Sequence, residues 1–300
     1  MRPAPLIPLI AIDYRREQEQ KTSVNQALQQ FLTDHPRLFV LTGAGCSTDS
    51  GIPDYRDRSG AWKRSKPILF QEFMQRAAVR QRYWARSFLG WIPFSQAEPG
   101  LAHFALASLE AQGRIVQLTT QNVDGLHQKA GSQQVVDLHG NLAQLVCQNC
   151  GEKESRSWMQ EKIASLNPGI DQLTARPAPD GDADLKTDFS RIIVPDCPIC
   201  GGILKPDVVF YGEQVPRPRI EAAYQAVRQS DAILVAGTSL MVFSAYQFIR
   251  EATRLGKPIV AVNQGKTRAD DLFTLKIEQP VGETLAHLAA HFSAQQKRNP

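Results

Sequence analysis

No apolar run in this chain approaches the roughly 20 residues that a membrane-spanning helix needs, so no membrane role is expected. Internal repeats and low-complexity tracts are missing, which excludes a solenoid or a disordered linker protein. Charge of one sign is scarce as well. Lys and Arg number 34 against 30 Asp and Glu, and an excess of +4 is too small to imply a nucleic-acid partner. The apolar, proline-bearing start, Met1 to Ile12, has no small-residue cleavage site and runs into Asp13, Glu17 and Glu19. A secretory or transit leader is therefore not expected, and the protein is read as cytoplasmic. Cysteine is sparse: of five, four fall in two pairs, Cys147/Cys150 and Cys197/Cys200, and Cys46 stands alone. In a reducing compartment that pattern points to metal rather than to disulfides.

What is present is an ordinary globular composition, 42% hydrophobic and 21% charged. After a loose arm at residues 1–20, a helix is expected from Ser23. Val24, Leu28, Phe31 and Leu32 recur at helical spacing, and Pro36 ends it. Short continuous apolar runs follow: Leu38–Leu41, Ile115–Leu118, Val135–Leu138, Val208–Phe210, Ile233–Val235 and Ile259–Val262. Such runs suit strands covered on both faces of a parallel sheet. Helical patterns between them, such as Ile220/Ala223/Tyr224/Val227, predict a doubly wound, Rossmann-like α/β fold over 21–145 and 205–300. Two segments break the pattern. Residues 53–100, rich in Arg, aromatics and Pro, are expected to form a helical subdomain or lid, and 146–204 a small inserted module with a loop at Pro177 to Asp188.

Polar groups cluster just after the expected strands: Thr42-Gly43-Ala44-Gly45, Thr119 to Asp124, His139-Gly140, Gly237-Thr238-Ser239 and Asn263. In an open parallel sheet, ligands bind at the carboxyl ends of the strands. Singly, such residues also serve as turn glycines or helix caps. Together they predict one ligand edge. Gly43-Ala44-Gly45 resembles a phosphate loop in which glycines bring backbone N–H groups to a pyrophosphate. Thr48 stands where the dehydrogenase fingerprint has its third glycine, and no acidic strand end follows about 20 residues on. A dinucleotide is expected, but not hydride transfer.

Each Cys-x-x-Cys knuckle supplies two sulfurs, and two knuckles close a tetrahedron. Gly151 and Gly201 follow the pairs and permit tight turns. The interval of residues 151–196 is longer than the roughly 15–20 of zinc ribbons, so an excursion away from the metal is expected. Four thiolates leave no open position, which makes the zinc structural. Cys46 is either a thiol activated near a helix N-terminus or a small residue packed under the loop.

These stretches resemble one family. Gly43-Ala44-Gly45-Cys46-Ser47-Thr48-Asp49-Ser50-Gly51-Ile52-Pro53-Asp54-Tyr55-Arg56 is similar to the sirtuin signature GAGxSxxSGIPDFR. Gln121-Asn122-Val123-Asp124 resembles its QNID motif, Leu138-His139-Gly140 its LHG motif, and Gly237-Thr238-Ser239-Leu240 its GTSL motif. Lys205 to Glu213 is similar to KPxVVFFGE, and Asn263 matches the Asn ending the next strand. The order is collinear from about residue 37 to 285, and the 80–86 segment looks most like the class II branch. Departures are small: Cys46 for an aliphatic residue, Tyr55 and Tyr211 for Phe, Val123 for Ile.

The resemblance implies an NAD-dependent protein-lysine deacylase that passes the acyl group to ADP-ribose and releases nicotinamide. It also implies one structural Zn2+ held by Cys147, Cys150, Cys197 and Cys200. His139 would be the general base, since imidazole titrates near ~6.5, with Asn122 and Asp124 orienting the nicotinamide ribose and carboxamide. Gly43, Ala44, Gly45, Ser47, Asp54, Tyr55, Arg56, Gln121, Gly237, Thr238, Ser239, Asn263 and Val281 would contact NAD. An acyl-lysine protein would enter as an extended peptide beside Gly212-Glu213 and Leu240 to Val242, with Val208 and Phe210 lining the acyl tunnel. Tyr83 and Arg86 match a Tyr-x-x-Arg pair that one branch uses for acyl groups ending in carboxylate. Arg86 would otherwise lie on a solvated helix face. Other readings are a protein mono-ADP-ribosyltransferase using the same site, a non-catalytic NAD sensor, and a zinc-ribbon nucleic-acid binder. The last lacks clustered basic and aromatic residues.

Overall fold

The computed structural model describes residues 23–298, apart from 24, 58, 60, 62, 64–67, 173–175, 178–182 and 185–188. The expected arm at 1–20 and most of the Pro177 to Asp188 stretch lie outside them.

Six strands form a parallel sheet: β1 (Leu38–Thr42), β2 (Ile115–Thr120), β3 (Val135–Asp137), β9 (Ala232–Ala236), β10 (Ile259–Val262) and β11 (Leu275–Ile277). Their spatial order is β11-β10-β9-β1-β2-β3. The chain therefore starts at the centre, winds outward through β2 and β3, then returns to β9 and winds the other way. Every residue of β1, β9 and β10 is buried, as their continuous apolar runs require. Helices cover both faces. Helix α1 (residues 25–34), α4 (Leu101–Ala111) and α9 (Val281–Arg298) bury Leu28, Leu32, Leu106, Leu285 and Phe292 against one side. Helices α7 (Arg217–Gln229) and α8 (Phe243–Arg254) bury Ala223, Val227, Phe248 and Ile249 against the other.

One expected strand belongs elsewhere. Of Val208–Phe210, read as part of the main sheet, only Val208 is in a strand; it ends β8 (Leu204–Val208), which pairs antiparallel with β4 (Gly140–Cys147). With β5 (Lys153–Ser155) these make a separate three-stranded sheet. An apolar run reports burial but not its partner, and here the partner lies across the cysteine-bearing segment. That sheet shares one core with the helical segment. Helices α2 (Phe70–Gln75), α3 (Ala77–Ser95) and α6 (Arg156–Leu166) pack Phe73, Trp84, Phe88, Met159 and Ile163 against Leu145 and Leu204. The buried Arg156 guanidinium binds this lobe together, donating to the Ser87 carbonyl at 2.8 Å and lying over the Trp84 and Trp91 rings. Among the described residues, no helix is long and apolar enough to cross a membrane.

The two sheets meet at Gly140, which turns out of β3 into β4 at φ +90; a Cβ there would lie 1.8 Å from the Asp207 carbonyl oxygen. Gly140→Ala is expected to cost at least about 2 kcal/mol through backbone strain and overpacking. A urea titration measures this, and an unchanged midpoint would contradict it.

Candidate functional site

The order of the parallel strands reverses between β1 and β9, and the loops leaving these strands face each other. A Cβ on Gly43 would sit 2.6 Å from the Thr238 Cβ, and one on Gly45 would sit 2.9 Å from the Gly237 Cα. Glycine is thus required for loop-on-loop contact. Gly43 N–H donates to the Ala236 carbonyl at 3.2 Å, and Gly45 N–H to the Gly237 carbonyl at 2.8 Å. These two amides therefore join the loops rather than pointing into the crevice, which differs from the phosphate-donor role expected from sequence. The Gln121 side chain ties the same loops, donating to the Thr42 carbonyl at 3.1 Å and to Thr238 Oγ1 at 2.8 Å.

Above this junction lies a cavity of about 650 Å3, within the range of small-molecule and cofactor sites. Of the residues expected at this site, Ser47, Asp124, Leu240 and Met241 do not line it; the others do. Ser47 and Asp124 sit one layer behind. Asn122 Nδ2 donates to the Gly43 carbonyl at 3.1 Å and to Ser47 Oγ at 3.0 Å, and Ser47 donates to Asp124 Oδ2 at 2.7 Å. Leu240 is fully buried, with the left-handed φ of 56 that is costly for a residue with a Cβ. Its N–H donates to Thr238 Oγ1 at 3.1 Å, so the turn after β9 is held in that strained form.

His139, ending the Val135–Leu138 run, lies at the floor of the cavity. Its Nδ1 is 3.1 Å from the Gln121 carbonyl oxygen. A carbonyl only accepts, so the ring proton resides on Nδ1 and Nε2 keeps its lone pair. Burial pushes the imidazole down to about 4; the Gln121 carbonyl opposes this and the nearby Arg219 charge adds to it. His139 is therefore neutral at physiological pH, the form a proton acceptor needs. The Ser244 hydroxyl stands 2.8 Å from Nε2. Sequence reasoning missed Ser244, because its only mark is proximity to a histidine 105 positions away.

Two further histidines underlie the glycine turn. His127 Nε2 is 2.9 Å from Thr42 Oγ1, its ring centre is 4.7 Å from that of His103, and burial lowers it to about 3. His103 is also lowered, chiefly by burial. Both are packed side chains, buried beneath the turn. Cys46 is packed too: it is buried, its thiol is 3.4 Å from the Ala236 carbonyl, and burial pushes it up to about 12, which makes an activated thiol untenable.

The small lobe supplies the opposite wall. Tyr83, Arg86, Val208 and Phe210 line the cavity, and Arg86 is 9% exposed, so it does not lie on a solvated face. The Tyr83 and Phe210 ring centres are 5.2 Å apart. Glu213 accepts from the Phe210 N–H at 2.8 Å and from the buried Lys205 ammonium at 3.2 Å, fixing the 210–213 turn. Asp54, paired with Lys63, also lines the cavity, together with Tyr55 and Arg56. Ser239, Asn263 and Val281 complete the lining expected from sequence.

The four paired cysteines converge at the edge of the small lobe, their sulfurs all within 4.8 Å of one another. Cys147 and Cys200 Sγ are 3.5 Å apart, and Cys150 and Cys197 Sγ 3.8 Å. A tetrahedral ion with bonds of ~2.3 Å sets sulfurs about 3.8 Å apart, so the cluster fits Zn2+ with no position left open. Gly151 and Gly201 take the left-handed turns expected of them, at φ 75 and 68.

Residues 43–244 match the family model described as the Sir2 family. The chain is 55% identical over 268 residues to an NAD-dependent protein deacetylase of Xanthomonas campestris pv. campestris, covering 89% of this chain and 92% of that one. A Bordetella bronchiseptica protein of the same description is 54% identical over 273 residues, covering 91% and 100%. The mitochondrial NAD-dependent protein lipoamidase sirtuin-4 of Bos taurus is 46% identical over 262 residues, covering 86% and 83%. A solved structure described as Sir2 with a p53 peptide and NAD+ superposes with a TM-score of 0.73 at 30% identity, covering 89% of this chain and 98% of that chain.

The buried neutral histidines set an acid limit on stability. His127 stands at about 3 in the fold against 6.5 when unfolded, so unfolding takes up a proton between those values. Its contribution is fully present above pH 6.5 and is lost as pH falls towards 3. The fall in urea midpoint from pH 7 to pH 4.5 is expected to be smaller in His127→Gln than in wild type. Equal falls would contradict the assignment.

Proposed function

The chain belongs to the Sir2 family, and from that premise we propose that it is an NAD-dependent protein-lysine deacylase. It transfers the acyl group from lysine to ADP-ribose and releases nicotinamide. The observation that carries this reading is a neutral imidazole, its tautomer fixed by a carbonyl, on the floor of a cavity beside two interlocked glycine turns. The residues present fit a dinucleotide: a roomy crevice at the point where strand order reverses, with hydroxyl and amide groups from Ser239 and Asn263 on one side. NAD is the co-substrate and supplies the labile bond between nicotinamide and ribose.

In this reading Asn122 orients the ribose end, with Ser47 and Asp124 holding it from behind. Arg56 faces the phosphates from the loop that follows Pro53, and closure of that loop, not of the packed helices after it, excludes water from the reacting carbon. The acyl-lysine side chain passes between Val208 and Phe210, and its backbone pairs with Gly212-Glu213 and Leu240 to Val242. His139 Nε2 is the final acceptor of a proton as the ribose hydroxyl oxygen attacks the acyl carbon. Arg86 and Tyr83, which line the cavity, favour acyl groups that end in a carboxylate, because the planar guanidinium fork matches a carboxylate with two parallel hydrogen bonds. Free thiols gathered for a metal support a cytoplasmic setting.

Nicotinamide release from NAD with a panel of acyl-lysine peptides tests the function. O-acyl-ADP-ribose is the expected product, and His139→Ala is expected to lower its formation by about 10² or more. ADP-ribosylated protein as the sole product would favour the transferase reading instead. For Arg86→Ala, the rate on succinyl- or glutaryl-lysine relative to acetyl-lysine should fall about tenfold. Unchanged proportions would remove Arg86 from acyl selection.

A further inference from the structure

The lone pair that the general base needs is already engaged. Because His139 carries its proton on Nδ1, towards the Gln121 carbonyl, the 2.8 Å contact at Nε2 must be a hydrogen bond donated by the Ser244 hydroxyl. A ribose hydroxyl approaching His139 therefore meets Ser244, which itself lines the cavity. Ser244 is well fixed. It lies in the first turn of α8, its carbonyl accepts from Gln247 Nε2 at 2.8 Å, and Gln247 Oε1 accepts from the Tyr224 hydroxyl at 3.1 Å. Its Oγ keeps acceptor capacity while donating to His139.

Resting on the deacylase reading, we propose that Ser244 is a proton relay between the ribose hydroxyl and His139. The ribose hydroxyl donates to Ser244 Oγ while Ser244 donates to His139 Nε2. As the ribose oxygen attacks the acyl carbon, its proton moves to Ser244 Oγ and the former Ser244 proton moves to Nε2. Ser244 ends as a hydroxyl and His139 as an imidazolium whose Nδ1–H still meets the Gln121 carbonyl. No bond to Ser244 other than O–H forms or breaks, and the positive end of α8 favours the partial negative charge that passes through Oγ. The base then never has to touch the ribose, and its depth in the fold is no obstacle.

Three measurements read this. In the unliganded protein, nitrogen-15 NMR of the His139 ring should show Nδ1 protonated and Nε2 as acceptor, and Ser244→Ala should move the Nε2 resonance alone. An Nε2 resonance identical in both proteins overturns the contact. In single-turnover formation of O-acyl-ADP-ribose, two protons move in one step, so the rate should curve with the deuterium fraction of the solvent. A straight line in wild type overturns the relay without requiring any variant to fold. Ser244→Ala should slow acyl transfer about tenfold while nicotinamide–NAD exchange, which precedes the proton step, changes far less. Ser244→Thr should restore transfer and the curvature. Parallel losses of exchange and transfer, or transfer at the wild-type rate, would sink the proposal. If wild type shows no acyl-lysine-dependent exchange at all, the deacylase reading itself fails, and the relay with it.

Discussion

Two backbone turns that must touch, the one after β1 and the one after β9, set the geometry of everything above them. They approach so closely that a single methyl group on Gly43, Gly45 or Gly237 would strike the other turn. The contact is held by amide-to-carbonyl bonds between the loops and by the Gln121 carboxamide. Backbone dipoles committed in this way cannot rearrange without leaving buried polar groups unpaired. The floor of the cavity is therefore rigid, and Asn122, Ser239 and His139 are positioned relative to it.

Burial does the chemical preparation. His139 would be about half protonated near pH 6.5 in water, yet in the fold it stays neutral down to about 4 because desolvation opposes the charged ring. The same physics, without access to the cavity, keeps His127 neutral and Cys46 protonated, so that neither competes as an acid, base or nucleophile. The small lobe contributes a wall rather than a reagent. Its four-sulfur cluster pins the sheet that carries Val208, and Arg156 and Trp84 lock the helix that carries Tyr83 and Arg86.

Local signals made much of this legible. Continuous apolar runs at Leu38–Leu41, Ile233–Val235 and Ile259–Val262 announce covered parallel strands, and the polar groups that follow them mark the ligand edge. The paired cysteines announce their own cluster. Four things were not legible, each for want of a partner. Val208–Phe210 reads as a strand, but its apolar pattern cannot say that Val208 alone is paired, opposite Gly140 at the end of β8. Gly43 and Gly45 suggest phosphate contact, while their amides in fact serve the opposite loop. Arg86 on a helix is neutral evidence until the aromatic core beside it buries the face. Ser244 carries no local signal at all, since its meaning comes only from the imidazole it meets.

The central claim is that the loop junction builds the dinucleotide site. Calorimetric titration of ADP-ribose into wild type and Gly45→Ala tests it most directly, because the added methyl must part the turns without removing any side chain of the cavity. The account predicts binding by wild type and an affinity lower by about tenfold or more in the variant. Equal affinities would contradict it.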